Sequence, residues 1–406
     1  MNLLTSLALI FLCGLALGGL FEKIKLPPLL GMLLTGILLG PSVLNLLDWS
    51  VLAISSDLRK VALVIILTRA GLSLDLKKLK KVGRPAVLLC FVPACFEILG
   101  MVALAPLVLG VSYLDAAVIG TVIAAVSPAV IVPKMLRLMD QKVGTGKSIP
   151  QMLLAGASVD DVFVIVLFTS FTGLAQGEAF SLTSLLQIPL SVISGGLAGA
   201  LLGAVLAWLF HTIHMRDSAK ALVILSVALF LTALENHSPI PFSGLLAVMS
   251  LGIVLQKMRG QTAVRLSGKF SKLWVGAELL LFALVGAAVD ISYAEKAGIL
   301  AVVVLLGALL FRMAGVFLCL LGTPLNKKER LFCMIAYTPK ATVQAAIGSL
   351  PLSMGLSCGT LALTAAVLAI LITAPLGAAL IDLTAPRLLE NNGRNRVKQD
   401  KIMPAQ

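Results

Sequence analysis

Apolar residues dominate this chain in long runs, near residues 3–21, 27–44, 57–72, 85–108, 114–138, 149–175, 183–211, 219–235, 241–257, 269–290, 297–321, 328–350 and 357–383. An α-helix needs about 20 predominantly apolar residues to cross the hydrocarbon of a bilayer, and the runs repeatedly reach that length. The pattern predicts an all-α polytopic membrane protein with about thirteen transmembrane helices joined by short connections. No stretch remains for a soluble domain. The polar segment from Glu390 to Gln406 is expected to be a disordered tail.

Composition agrees with the pattern. The chain is 59% hydrophobic and 13% charged, with a mean hydropathy of +1.04. The first run, Leu3 to Leu20, has no basic residue ahead of it and no small-residue cleavage site, so it is expected to be a retained helix rather than a signal peptide.

Charge then orients the helices. Basic residues near cytoplasmic helix ends set topology. Loops that would share one side carry Lys23, Lys25, Lys77, Lys78, Lys80, Lys81, Arg84, Lys134, Arg137, Lys142, Lys147, Arg216, Lys220, Lys257, Arg259, Arg265, Lys269, Lys272, Lys327, Lys328 and Arg330. The tail adds Arg387, Arg394, Arg396, Lys398 and Lys401, whereas the opposite side holds only Arg59, Lys60 and Lys296. The N-terminus is therefore expected outside and the C-terminus in the cytoplasm. The same partition accounts for the net charge of +13 without nucleic acid, since the basic residues form no stripe interleaved with aromatic ones. Nor is a soluble protein partner implied. Cys13, Cys90, Cys95, Cys319, Cys333 and Cys358 lie in apolar runs without a CxxC pair, and are expected to be free thiols.

Six ionisable residues fall deep within predicted spans: Arg69, Glu97, Asp160, Asp161, Arg312 and Lys340. At a rise of 1.5 Å per residue, Glu97, Asp160, Arg312 and Lys340 sit about 15–22 Å from the starts of their spans, near mid-bilayer. Each ionised Asp there costs roughly 2.5–3.5 kcal/mol, and two adjacent carboxylates also repel. Relief comes from a bound cation, a proton or a buried basic partner, so Asp160 and Asp161 suggest a site that exchanges protons for cations.

Two spans also look broken. The fifth contains Ser127-Pro128 and the twelfth Thr338-Pro339, where proline removes a backbone donor at mid-depth. Irregular backbone at that depth is tolerated only inside protein or around a cavity. Because the breaks occupy the fifth and twelfth spans, and Glu97 and Arg312 the fourth and eleventh, spans one to six match spans eight to thirteen. Seven is odd, so the two repeats have opposite orientation, as in secondary transporters built around discontinuous helices. Simpler readings stand beside these: Glu97 and Arg312 as a structural ion pair, Arg69 as a residue reaching the outer interface, and His211 with His214 as an ordinary solvated pair.

The segments Ala157-Ser158-Val159-Asp160-Asp161-Val162, Thr338-Pro339-Lys340-Ala341-Thr342-Val343-Gln344-Ala345-Ala346-Ile347-Gly348 and Arg69-Ala70-Gly71-Leu72-Ser73-Leu74-Asp75 resemble the monovalent cation/proton antiporters. The nearest branch is the NHA-type sodium/proton exchangers and their bacterial relatives, and the resemblance covers essentially the whole chain. It implies a homodimer in the inner cell membrane, with no cofactor and no enzymatic activity. It also implies scaffold helices at 1–84 and 219–290, core helices at 85–175 and 291–386, a linker helix at 176–218 and a cytoplasmic tail at 387–406, the core moving like an elevator. By the same resemblance Asp161 is the essential cation and proton site, Asp160 pairs with Lys340, and Glu97 pairs with Arg312. The Asp-Asp pair leans toward more than one proton per cation.

Chemistry supports such a site. A proton and Na⁺ or Li⁺ compete for the same carboxylate oxygens of Asp160 and Asp161, and Lys340 would release a proton when Na⁺ displaces it from Asp160. Ser127, Ser158 and Thr338 hydroxyls and freed carbonyls are the expected supporting ligands. A cation-coupled symporter of an organic anion and a K⁺/H⁺ antiporter are the competing readings. An intramembrane aspartyl protease lacks its GxGD signature here, and a channel needs neither repeat nor proton coupling.

Overall fold

A computed structural model of the chain describes residues 2–24, 26–73, 83–176, 182–235, 242–289 and 291–390. Among them all regular structure is helical: α1 (Leu3–Lys23), α2 (Pro28–Leu39), α3 (Trp49–Ala53), α4 (Ser55–Ser73), α5 (Arg84–Leu89), α6 (Val92–Leu109), α7 (Tyr113–Ala124), α8 (Pro128–Asp140) and α9 (Ile149–Ala175). There follow α10 (Leu182–Thr212), α11 (Asp217–Leu234), α12 (Gly244–Met258), α13 (Gly260–Ala287), α14 (Ile291–Cys319), α15 (Lys327–Ala336), α16 (Thr342–Ile347), α17 (Leu350–Ser353) and α18 (Gly359–Leu388). Lys25, Asp75, Lys77, Lys78, Lys80, Lys81 and the tail beyond Glu390 lie outside the described residues, as do the side chains of Ser158 and Lys296.

Among the described residues eight helical spans are long and apolar enough to cross a membrane, and the chain is a multi-pass membrane protein. Three further apolar helices, α2, α7 and α12, are 12, 12 and 15 residues long. At 1.5 Å per residue they reach about 18–23 Å, short of a hydrocarbon core of about 30 Å. Full-length helices therefore do not by themselves reproduce thirteen crossings. The fourth apolar run is also divided, between α5 and α6, where Phe91 leaves helical geometry (φ −145°, ψ −36°) just ahead of Pro93.

Helix contacts fall into two sets. In one, α1 packs on α2, α13 on α2 and α4, and α12 on α4 and α10. In the other, α6 packs on α14 and α7, α9 on α7 and α8, and α18 on α14 and α15. Contacts between the sets are sparse and are made mainly by α16, which touches α4 and α13, and by α9, which touches α10 and α12. Outside the spans, Asn326 and Glu329 form a reciprocal cap on α15, and Lys147 Nζ donates to both Glu329 oxygens at 2.9 and 2.8 Å. That hydrogen bond holds the Lys147 ammonium above the usual lysine range and ties the α8–α9 connection to α15.

Without a hydrophobic drive between apolar helices in lipid, close backbone approach supplies the packing. Gly195, Gly199 and Gly203 recur every four residues along one stripe of α10, facing Ser243, Ala247 and Leu251 of α12. A Cβ on Gly199 would lie 2.0 Å from the Ala247 carbonyl oxygen, an overlap that only helix separation relieves. Gly276 of α13 has open space where its Cβ would be. Gly199→Leu should therefore lower the thermal midpoint of detergent-solubilised protein by several degrees, consistent with about 1–3 kcal/mol for overpacking. Gly276→Ala should leave it unchanged, and equal midpoints for the two variants would contradict this packing.

Candidate functional site at the helix crossing

Proline explains both interruptions locally. The residue before a proline is pushed out of helical geometry, and Ala125 (φ −69°, ψ 140°) and Ser127 (φ −89°, ψ 111°) are extended before α8 restarts with Pro128 at its first position. The second helix ends at Ala336, passes through Tyr337 to Ala341 as irregular chain and restarts at Thr342. The two breaks meet, since the Ser127 N–H donates to the Pro339 carbonyl at 2.8 Å.

Breaking the helices frees carbonyls at the C-terminal ends of α7 and α15, where the helix dipoles favour positive charge. Arg312 of α14 answers both. Its Nε donates to the Tyr337 carbonyl at 2.7 Å, its Nη1 to the Ala124 carbonyl and, at 2.9 Å, to Glu97 Oε2, and its Nη2 to Asp160 Oδ2 at 3.1 Å. The guanidinium also lies 5.1 Å from the Tyr337 ring centroid. Lys340 Nζ donates to Glu97 Oε2 at 2.5 Å and to the Ala124 carbonyl at 3.3 Å, while its backbone N–H donates to Thr373 Oγ1 at 2.8 Å. Gln344 Nε2 donates to the Ile123 and Ala125 carbonyls at 3.2 and 2.8 Å. Asp160 Oδ2 additionally accepts the Val126 N–H at 2.7 Å.

Glu97, Asp160, Arg312, Lys340, Gln344 and Ser127 are all buried to 0% exposure. A buried charge is tolerated only when paired, and three carboxylates here face two cations. Glu97 is shared by Arg312 and Lys340, and Asp160 is held by Arg312. Asp161 has no hydrogen bond or ion pair among the described residues, and its Oδ1 is buried without a donor. One negative charge is thus left over. It matches one proton or one monovalent cation.

The expected pairing of Asp160 with Lys340 is corrected by this geometry. Asp160 pairs with Arg312, and Lys340 pairs with Glu97. The planar five-donor fork of arginine can serve Asp160, Glu97 and two carbonyls at once, whereas the Lys340 ammonium, on a backbone anchored to Thr373, reaches Glu97 and one carbonyl. Ser127 sits at the crossing with Oγ buried and without a hydrogen-bond partner among the described residues. The Thr338 hydroxyl donates back to Ile335 at 2.8 Å. Gln344, Thr373, Tyr337 and the Ala124 carbonyl were not anticipated as parts of the site. A glutamine in an apolar mid-membrane run was a usable signal for Gln344. The Thr373 hydroxyl, whose own proton satisfies the Ala369 carbonyl at 2.7 Å, is indistinguishable in sequence from other helical threonines.

Residues 7–383 match the family described as "Sodium/hydrogen exchanger, transmembrane". The chain is 35% identical to "Sodium/hydrogen exchanger 9B2" of Mus musculus, covering 96% of this chain and 74% of that protein. It is 30% identical to "Sodium/hydrogen exchanger 9B1" of Homo sapiens, covering 95% and 78%. Among solved structures, the sodium proton antiporter MjNhaP1 from Methanocaldococcus jannaschii at pH 8 superposes with a TM-score of 0.83 at 23% identity, over 96% of this chain and 99% of that one, and so shares the fold. Over nearly its whole length, then, this chain is a membrane transporter and not an enzyme: it belongs to the transmembrane sodium/hydrogen exchanger family, with the antiporter fold of crossed, discontinuous helices.

Proposed function

We propose that the protein exchanges Na⁺ or Li⁺ for H⁺ across the cell (inner) membrane by alternating access, with Asp161 binding cation and proton in turn. The observation that carries this reading is the single uncompensated carboxylate beside two interrupted helices. Proton and cation are mutually exclusive at Asp161 because either one neutralises the last charge of the cluster, and a second would overcharge it. Asp160 acts as a fixed neighbour held by Arg312 and Val126, adding negative potential without being vacated. Lys340 and Glu97 complete the balance. Ser127 and the freed carbonyls are the supporting oxygen ligands suited to a hard cation.

The packing supports movement of one set against the other. The sparse contacts between the α1–α4 and α10–α13 set and the α5–α9 and α14–α18 set favour an elevator-like shift of the second, core set along the first, scaffold set. The scaffold corresponds to residues 1–84 and 219–290 and the core to 85–175 and 291–386, while the linker helix α10, within 176–218, joins the two in sequence and packs with the scaffold through α12. Leu4, Leu12, Leu15 and Leu20 remain exposed on α1, an apolar surface fitting homodimer contact within lipid. The basic loops favour an external N-terminus and a cytoplasmic C-terminus.

In liposomes carrying an imposed pH gradient, added Na⁺ or Li⁺ should dissipate the gradient, and Asp161→Asn should abolish the response while the protein still elutes as a dimer. Full activity in that variant would remove Asp161 from the mechanism. Addition of K⁺ in the same vesicles separates the K⁺/H⁺ reading. Competition of one proton with one cation also sets a slope: in the acidic limb the apparent KM for Na⁺ should rise about tenfold for each unit fall in pH. A slope near two decades per unit would instead require a second proton, as the Asp-Asp pair had suggested.

A further inference from the structure

We propose that Gln344 is a direct ligand of the transported cation and sets which monovalent cation the site accepts; this rests on the antiport reading above. The orientation of its amide is forced. Both partners of Nε2, the Ile123 and Ala125 carbonyls, are pure acceptors, so the nitrogen must face them and Oε1 must face away. That oxygen is fully buried and accepts nothing. A buried acceptor left unmade costs about 1–3 kcal/mol, a penalty a cation relieves.

Its neighbours are of the same kind. The two carbonyls held by Gln344 bracket Ala124, whose own carbonyl takes Arg312 and Lys340. The next two residues are Val126, whose N–H holds Asp160, and Ser127. On this irregular segment and on α9 and α16, which each hydrogen-bond to it, Ser127 Oγ, Asp160 Oδ1, Asp161 Oδ1 and Gln344 Oε1 are buried oxygens without a hydrogen-bond partner among the described residues. An all-oxygen set of this kind suits a hard cation. Gln344 differs from the carboxylates in being neutral, so it binds a cation without disturbing the one-for-one charge balance. Because two backbone hydrogen bonds fix its position, its oxygen cannot follow a change in ion radius. Coordination by a fixed neutral oxygen then discriminates among Li⁺, Na⁺ and K⁺.

The test compares wild type, Gln344→Met and Gln344→Glu in the liposome assay with Na⁺, Li⁺ and K⁺. Methionine keeps the volume and removes the oxygen. It should raise the apparent KM for Na⁺ by about tenfold, alter the Na⁺ to Li⁺ KM ratio and leave the maximal rate largely intact. Glutamate keeps an oxygen but loses the amide donors; it should retain Na⁺ binding with an altered ion ratio. Variants that lose maximal rate and thermal stability together, with the ion ratio unchanged, would make Gln344 a clamp on the α7 carbonyls and overturn the proposal. If the methionine variant fails to fold, an unchanged ion ratio in Gln344→Glu overturns it equally. A wild-type protein without a Na⁺ or Li⁺ response overturns the antiport reading and this proposal with it, whereas a normal wild type with unaltered variants overturns this proposal alone.

Discussion

The guanidinium of Arg312, shut off from water, is the contact on which the crossing depends. Two helices that stop in mid-run leave carbonyls without intrahelical partners, and in a hydrocarbon setting no water can satisfy them. Arg312 takes one carbonyl from each, Tyr337 and Ala124, while pairing with Glu97 and Asp160. A lysine in its place would have a point charge and three donors, too few and wrongly shaped for four acceptors on separate helices. The carboxylates justify the burial of the cation, and the cation justifies the interruption of the helices. Removing either partner of such a pair strands the other as an uncompensated buried charge, at about 3–5 kcal/mol.

From that lock the charge arithmetic of the site follows. Arg312 and Lys340 neutralise two of three carboxylates, and Asp161 is the remainder. The Gln344 amide, on α16, holds the Ile123 and Ala125 carbonyls and belongs to the same set of buried polar groups at the crossing.

Much of this is legible in the sequence. Run length specifies a polytopic helical protein. Ser127-Pro128 and Thr338-Pro339 mark the breaks because proline acts locally, through its missing N–H and its effect on the preceding residue. The cost of charge in hydrocarbon singles out Glu97, Asp160, Asp161, Arg312 and Lys340 as a set. Short helices such as α2 and α7 show where run length stops being informative, since apolar composition continues through breaks that shorten the helix itself.

Who pairs with whom was another matter. Residue types at depth determine that cations and carboxylates must meet, and the sequence by itself went that far. Only the tertiary structure decided that Asp160 takes Arg312 and that Lys340 takes Glu97, and that Gln344 and Thr373 join them. The physical reason is that pairing depends on side-chain reach and on competing backbone acceptors brought from helices far apart in the chain. Transfer cost is a property of one residue in one medium, whereas a hydrogen-bond network is a property of positions that only packing creates.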